Sequence, residues 1–330
     1  MLKAIFVGMR GNLPCAYPEE LRREIEKRVT LIPESLEGEE WKERLPLLAE
    51  ADLIFSSWGM PVLDQAFLEA APRLRAVFYA AGSVKCFATP HSYERGILIS
   101  SAWEANAIPV SEYTLGTILL GLKGFWSSSR QMKAGTFDVI SSPIPGAYRS
   151  KVGLVSLGAI GKRVAALLAR FDLDVLVYDP YVKSEQAAEL GVSLVSLEEL
   201  FERCDVVSLH TPWLPETENL IGGGLVVMMK PGACLINTSR GAIVNEAEIC
   251  VVLRDRPDLT AILDVTYPEP PSTDSPLHAL GNVVLTPHIA GSVGGEVARM
   301  GAWMLEEFDR YLAGKPLLHG VSLEMLDHMA

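Results

Sequence analysis

The strongest constraint on the fold of this chain is a regular alternation of short apolar runs with amphipathic segments after residue 150. In the first of these segments, Ile160, Val164, Leu168 and Phe171 fall on one face of a predicted helix. Strands are predicted at 152–156, 175–179, 193–195, 206–210, 233–239, 261–265 and 283–286. The alternation predicts an α/β fold whose doubly wound parallel sheet is covered by helices on both faces.

The first hundred residues show a weaker version of the same alternation. Strands are predicted at 5–8, 53–56, 76–80 and 97–100, and helices at 20–27, 65–70, 110–125 and 296–313, whereas the charged stretch 34–44 reads as a solvated loop or helix surface. The length of 330 residues is about twice the ~150 expected for one domain. We therefore expect two α/β domains.

Composition excludes several classes of protein. The chain carries 29 Lys and Arg against 41 Asp and Glu, which argues against nucleic acid or an anionic membrane surface as its partner. Its five cysteines are scattered and never form a CxxC pair, as expected for reduced thiols in the cytoplasm and not for a metal site. No apolar stretch is long enough for a membrane-spanning helix. We expect a cytoplasmic protein that holds any anionic substrate with locally placed cations.

A glycine-rich turn joins the first predicted strand of the alternation to its helix. Residues 152–161 read VGLVSLGAIG, with Gly158 and Gly161 at the start of the helix. In a dinucleotide-binding turn, the first of these lets the backbone approach a pyrophosphate and the second lets the helix pack on the strand. Asp179 ends the next strand, where an acid accepts hydrogen bonds from ribose hydroxyls and repels a 2′-phosphate. The pattern predicts NAD as the cofactor; a βα turn without a ligand is the alternative.

Three ionisable residues follow three different predicted strands. Arg240 follows ACLINTS, Glu269 follows AILDV by four residues, and His288 follows VVLTP by one. Each has an ordinary structural interpretation: a solvated arginine, an acid in a surface turn and a packed histidine. Together, at one sheet edge, they suit hydride transfer, because a histidine can exchange the proton of an alcohol, a carboxylate can orient that histidine, and an arginine fork matches a substrate carboxylate.

These residues together resemble the D-isomer-specific 2-hydroxyacid dehydrogenase family, which includes phosphoglycerate, glycerate and formate dehydrogenases. The matching blocks are VGLVSLGAIGKRVA, HTPWLPET, MKPGACLINTSRGAIVNEAE, LDVTYPEPP and NVVLTPHIAGS. The resemblance is close over 150–315 and diffuse over 45–125. It implies a Rossmann NAD-binding domain, residues 104–291, inserted in a smaller flavodoxin-like α/β substrate domain made of residues 1–103 and 292–330, with crossings near Trp103 and Gly291.

The resemblance also implies particular site residues. Arg240, Glu269 and His288 take the family's catalytic positions. Cofactor contacts are implied for Gly158, Ala159, Ile160, Gly161, Asp179, Thr211, Pro212, Thr238, Asp264 and Gly291. Substrate contacts are implied for Gly82, Ser83, Asn106 and Arg240. Asp264 has the alternative of binding loop N–H groups, and Trp103 either closes the pocket or packs at the crossing.

Some positions depart from the family pattern. Ser156 replaces the first glycine of the turn, where a positive φ would cost a serine about 1–3 kcal/mol. Ala159 replaces an Arg or Lys near the pyrophosphate, and the usual Asp shortly after Gly82 is missing. Asn106 matches an asparagine that contacts substrate in formate dehydrogenases, but these carry Gln at the position of Glu269, which favours a hydroxy acid here.

The sequence therefore predicts an NAD-dependent D-2-hydroxyacid dehydrogenase acting on a small 2-hydroxy or 2-keto acid. Two alternatives stay open: an NAD(H)-sensing scaffold or corepressor-like protein of the same fold, and oxidation of phosphite or formate. The family also implies a homodimer, for which the apolar helix 110–125 is the candidate interface; internal packing is the other explanation for that helix.

Overall fold

The computed structural model describes residues 1–136 and 143–326. Its strands are β1 Lys3–Val7, β2 Thr30–Leu31, β3 Leu53–Ser56, β4 Ala76–Tyr79, β5 Leu98–Ser101, β6 Ser150–Val155, β7 Leu173–Tyr178, β8 Ser193–Leu194, β9 Val206–Leu209, β10 Cys234–Asn237, β11 Thr260–Leu263 and β12 Val283–Leu285. Its α-helices are α1 Leu13–Ala16, α2 Glu19–Glu26, α3 Leu45–Glu50, α4 Gln65–Ala70, α5 Pro90–Glu94, α6 Trp103–Leu122, α7 Phe125–Lys133, α8 Ala159–Leu168, α9 Ser184–Glu189, α10 Leu197–Arg203, α11 Gly223–Val226, α12 Glu246–Asp255, α13 Gly295–Leu312 and α14 Leu323–Leu326.

The described chain divides into two compact units. The first unit is Met1–Asn106 together with the described residues from Ser292 onward, and the second is Ala107–Gly291. Within the described residues, no helix is both long enough and apolar enough to cross a membrane.

The first unit is built on a five-stranded parallel sheet in the order β2-β1-β3-β4-β5. Successive side chains of a strand point to opposite faces, so Ile5 joins one apolar cluster and Phe6 the other. Helix α13 covers the second face with Met304 and Phe308, both fully buried. Burial on both faces explains why these short strands are mostly apolar.

The second unit contains a seven-stranded parallel sheet in the order β12-β11-β10-β9-β6-β7-β8. The chain moves outward from β6 to β8, returns to β9 on the other side of β6, and then moves outward again to β12. Open α/β sheets bind ligands at the carboxyl ends of the strands near such a reversal of strand order. This architecture confirms the predicted α/β fold with a doubly wound parallel sheet.

Three local expectations were wrong, and one short strand was not predicted. Helix α8 ends at Leu168, which leaves Phe171 outside it and exposed. The predicted helix 110–125 is instead the longer α6 followed by α7, because Gly124 between them has a left-handed φ of 57°. The short strand β2 carries no apolar alternation that would predict it. Within the charged stretch 34–44, Trp41 is buried in the core, so this stretch is not purely a solvated surface.

Candidate active site

The carboxyl edge of the second sheet gathers the loops that follow six of its strands. The loop after β6 carries the glycine turn, and those after β7 and β9 carry Asp179 and Thr211. The loops after β10, β11 and β12 carry Arg240, Glu269 and His288. Because all seven strands run parallel, these residues share one edge.

The glycine turn has the geometry expected of a dinucleotide cradle. A Cβ atom added at Gly158 would meet no atom within 4 Å, so this backbone faces open space at the N-terminus of α8. A Cβ atom at Gly161 would lie 2.2 Å from the Ser156 carbonyl oxygen, so only glycine permits this approach of helix to strand. Ser156 itself has a φ of 79°, and its hydroxyl lies 3.0 Å from the Thr211 hydroxyl.

The carboxylate of Asp179 organises the start of this cradle. One oxygen accepts the Leu157 N–H at 2.8 Å, and the other accepts the N–H groups of Tyr181 and Val182 at 2.8 and 3.2 Å. A carboxylate has about four acceptor positions, so three are used within the chain. The acid therefore anchors the glycine turn and keeps limited capacity for a ribose hydroxyl.

Arg240 is held by its own loop. The Asn237 side chain accepts the Ser239 N–H and donates to the Arg240 carbonyl, closing the loop after β10. The guanidinium donates to the Ser239 carbonyl at 2.6 Å, and no described residue forms an ion pair with it. Burial lowers the pKa of Arg240 from its ordinary value, and the nearby Glu269 carboxylate partly offsets that effect.

The structure brings His288 and Glu269 together. Nδ1 of His288 lies 2.6 Å from a carboxylate oxygen of Glu269, and both side chains are partly exposed, at 47% and 41%. A carboxylate at this distance orients the ring and leaves Nε2 as the nitrogen that faces outward. Glu269 therefore contacts the histidine, and its charge also acts on the arginine.

Asp264 holds the loop that carries His288. Its buried carboxylate accepts the Thr286 hydroxyl at 2.5 Å and the N–H groups of Ile289 and Ala290 at 2.9 and 2.8 Å. Its carbonyl accepts the His288 N–H at 2.9 Å. These contacts are the loop-binding role given above as the alternative; a contact with the nicotinamide amide stays a prediction.

The remaining predicted cofactor residues lie along the same edge. Thr211 is buried, and the Thr238 hydroxyl lies 3.2 Å from the Thr114 hydroxyl of α6. Ala159 and Ile160 are the first two residues of α8, Pro212 follows Thr211, and Gly291 is the last residue of the second unit. Within the described chain, no side-chain contact of Ala159, Ile160, Pro212 or Gly291 bears on a ligand.

The predicted substrate residues of the first unit lie at the carboxyl edge of its own sheet. Gly82 and Ser83 follow β4, and the hydroxyl of Ser101 donates to the Ala81 and Gly82 carbonyls. The Asn106 amide nitrogen lies 3.6 Å from the position of a Cβ atom at Gly82, while its oxygen accepts the Ser292 N–H at 2.8 Å. Asn106 thus links the Gly82 loop to the point where the chain returns to this unit.

Three positioning residues were not among the sequence candidates. Asn237 and Thr286 hold the loops of Arg240 and His288, and Gly241 lies against the backbone of Thr266, where a Cβ atom would come within 2.0 Å of the carbonyl carbon. The turn at Asn237 could have been predicted from the sequence, because an Asn side chain in a loop often accepts the N–H of the residue two positions later. The contact of Gly241 with Thr266 joins the loops after β10 and β11, and no local sequence pattern predicts it.

The reversal of strand order, the open glycine turn and the acid after β7 define a dinucleotide-binding α/β protein of the Rossmann type. Residues 115–290 match the family described as D-isomer specific 2-hydroxyacid dehydrogenase, NAD binding domain. The chain belongs to this family, which confirms the resemblance read from its sequence, and the cofactor of this domain is NAD.

Curated relatives agree with the family. D-3-phosphoglycerate dehydrogenase of Mycobacterium leprae strain TN is 32% identical over 289 residues, which cover 88% of this chain and 54% of that protein. YoaD of Bacillus subtilis strain 168 is 31% identical over 310 residues, covering 88% of this chain and 87% of its own length. Its name assigns it provisionally as a 2-hydroxyacid dehydrogenase. The chain spans about half the length of the phosphoglycerate dehydrogenases it matches.

Solved structures share the fold over nearly the whole chain. The TT0316 protein of Thermus thermophilus has a TM-score of 0.77 at 27% identity, covering 97% of this chain and 100% of that one. D-mandelate dehydrogenase of Rhodotorula graminis has a TM-score of 0.81 at 24% identity, with 97% of each chain covered. At 24% identity the second likeness is one of fold alone.

Proposed function

We propose that this protein is an NAD-dependent dehydrogenase that interconverts a small D-2-hydroxy acid and the corresponding 2-keto acid. The observation that carries the proposal is the 2.6 Å contact of His288 with Glu269, beside an arginine that has no ion-pair partner among the described residues. This set lies at the same sheet edge as the glycine turn of the family's NAD-binding domain.

In the reduction, Arg240 binds the substrate carboxylate through its planar fork of N–H donors. Its partial burial strengthens this contact because little water competes for the guanidinium. The same positive charge polarises the neighbouring keto group. Bound NADH supplies the hydride to the keto carbon.

His288 supplies the proton to the keto oxygen from Nε2, and in the oxidation it takes the proton from the hydroxyl. Glu269 supports this exchange, since its carboxylate fixes the ring and stabilises the imidazolium. Asp264 and Thr286 are positioning residues, because their hydrogen bonds fix the loop that carries His288.

The remaining assignments belong to the same proposal. Gly158, Ala159, Ile160 and Gly161 would cradle the pyrophosphate, and Asp179 would bind the ribose. Thr211, Pro212, Thr238, Asp264 and Gly291 would line the rest of the cofactor site. In the first unit, the N–H groups of Gly82 and Ser83 and the amide of Asn106 would bind substrate. Residues 104–291 would then form the cofactor domain and the two ends of the chain the substrate domain.

We further propose a homodimer in the cytoplasm, where the described cysteines, all free, stay reduced.

The test is to follow NADH absorbance with a panel of 2-keto acids while NADH binding is titrated separately. His288→Gln should lower kcat by about 10²–10⁴-fold and leave the Kd for NADH unchanged, because the histidine acts on the substrate. A kcat equal to that of the wild type would remove His288 from the mechanism. NADH binding without oxidation across the panel would support the scaffold alternative instead.

A further inference from the structure

Helix α6 turns one continuous face to the interior of the second unit. Thr114, Ile118 and Leu122 recur every four residues, which places them on one side of the helix, and all three are fully buried. A Cβ atom added at Gly121 would lie 3.4 Å from the Cβ atom of Cys234, the first residue of β10. The C-terminal part of α6 is therefore packed directly on the sheet.

From this contact the helix leads back to the carboxyl edge of the sheet. The stretch from Gly121 to Thr114 spans about 10 Å in a helix, and that from Cys234 to Thr238 spans about 13 Å in an extended chain. At the far end, the hydroxyls of Thr114 and Thr238 lie 3.2 Å apart. Helix α6 thus runs antiparallel to β10 and reaches the loop that follows this strand.

The loop reached in this way carries Arg240. Thr238 is buried within it, and the carbonyl of the next residue, Ser239, accepts the Arg240 guanidinium at 2.6 Å. The hydroxyl contact between Thr114 and Thr238 therefore fixes the loop two residues before the arginine.

The preceding residue of the helix, Tyr113, reaches the loop that carries His288. Its hydroxyl lies 3.3 Å from the Thr286 hydroxyl, which lies 2.5 Å from the Asp264 carboxylate. A threonine hydroxyl has one proton and an ionised carboxylate only accepts, so Thr286 donates to Asp264 and Tyr113 donates to Thr286. Burial raises the pKa of Tyr113, which keeps this donor protonated. Because Asp264 also accepts the N–H groups of the two residues after His288, a chain of hydrogen bonds joins α6 to that loop.

We propose that Tyr113 and Thr114 are positioning residues of the dehydrogenase, the first for His288 and the second for Arg240. The inference rests on the proposed function. The two side chains belong to consecutive residues of one helix that is packed on the sheet, so the two loops share a rigid support. Helix α6 therefore keeps the proton donor and the carboxylate-binding arginine in a fixed geometry, which the reduction of one keto acid by both groups requires.

The experiment measures kcat and KM for a 2-keto acid that the wild type reduces. Tyr113→Phe removes only a hydroxyl, and it should lower kcat by about 3- to 10-fold with little change in KM, because His288 acts in the proton transfer. Thr114→Val keeps the shape of the side chain, and it should raise KM by about 3- to 10-fold with a smaller change in kcat, because Arg240 binds the carboxylate.

Three further variants control for general damage to the fold. Thr114→Ser keeps the hydroxyl and should restore KM to the wild-type value. Ser111→Ala should leave kcat and KM unchanged, because this buried hydroxyl of the same helix donates to the Ile108 carbonyl at 2.7 Å. Tyr93→Phe should also have no effect, since the Tyr93 hydroxyl belongs to the first unit and has no hydrogen-bond partner among the described residues.

Amide hydrogen exchange, measured by NMR without cofactor, tests the same contacts independently of turnover. Tyr113→Phe should speed exchange at the N–H groups of Ile289 and Ala290 by about 3- to 10-fold, because Asp264 holds both. Thr114→Val should do the same at the Ser239 N–H, which the Asn237 side chain accepts. Ser111→Ala should change neither site.

Two results would overturn the inference while leaving the dehydrogenase intact. One is wild-type kinetics or wild-type exchange rates in both Tyr113→Phe and Thr114→Val. The other is an equal change of kcat and KM in the two variants, since that pattern would mean a general loss of structure. Absence of NADH oxidation by the wild type with every 2-keto acid overturns the proposed dehydrogenase itself, so the two failures are distinct.

Discussion

Two residues at the carboxyl edge of the second sheet hold a left-handed backbone without being glycine. Ser156 has a φ of 79° and His288 a φ of 54°. Such conformations cost on the order of 1–3 kcal/mol and persist when surrounding contacts fix them. For His288 these contacts are the hydrogen bonds of its loop with Asp264, which aim the imidazole at Glu269. Ser156 keeps a hydroxyl contact with Thr211 at the position where the family has glycine.

His210 gives a prediction at the same scale. Burial lowers its pKa to about 4, and neither ring nitrogen has a hydrogen-bond partner among the described residues. The unfolded chain takes up a proton below the ordinary pKa of 6.5, whereas the folded protein does so only near pH 4. The free energy of unfolding therefore falls as the pH drops through this window, by about 2 kcal/mol at pH 5.

Replacing His210 with Leu should remove this loss. We expect the difference in unfolding free energy between pH 7 and pH 5, from urea denaturation, to be about 2 kcal/mol smaller in His210→Leu than in the wild type. His278→Leu is the control, because His278 is exposed. An identical pH dependence in wild type and His210→Leu would mean that the ring is charged, or hydrated, in the folded state.

At the scale of elements, the packing of α8 on β6 depends on one glycine and the open cradle on another. Gly161→Ala should lower the free energy of unfolding by about 1–3 kcal/mol, because its Cβ atom would collide with the Ser156 carbonyl oxygen. Gly158→Ala is the matched variant, since its Cβ atom would point into open space.

We expect Gly158→Ala to stay within about 1 kcal/mol of the wild-type stability and to raise the Kd for NADH by about ten-fold, since a methyl group would occupy the pyrophosphate position. Urea denaturation and NADH fluorescence measure the two effects. Unchanged NADH affinity in Gly158→Ala would place the pyrophosphate elsewhere.

At the scale of the whole molecule, the proposed homodimer follows from apolar side chains that the second unit leaves exposed. Leu120 on α6 and Phe125 and Met132 on α7 are 40%, 50% and 64% exposed. Exposed apolar side chains on two successive helices make this surface the candidate interface. Sedimentation equilibrium should give about 72 kDa, twice the chain mass of 36.0 kDa.

The double variant Phe125→Glu and Met132→Glu should sediment as a monomer, because two buried carboxylates would face each apolar partner surface. Val251→Glu is the control, since Val251 is equally exposed, at 53%, on α12. A wild-type protein that sediments at 36.0 kDa would remove the dimer.

The sequence by itself determined the fold class, the seven strands of the second sheet and the residues that follow them. These depend on local periodicity and on the residue types that end strands, which neighbouring residues are enough to reveal. The short strand β2 and the burial of Trp41 escaped prediction, because both depend on residues distant in the chain.

Only the tertiary structure decided how the site residues meet. Glu269 contacts His288 across 19 residues, and Asp264 gathers the N–H groups of a loop more than twenty residues away. Such contacts are fixed by the order of strands in the sheet, which joins β10, β11 and β12 at one edge. The sequence lists the residues at that edge, but the pairing of Glu269 with His288 is a property of distance, which a one-dimensional pattern does not contain.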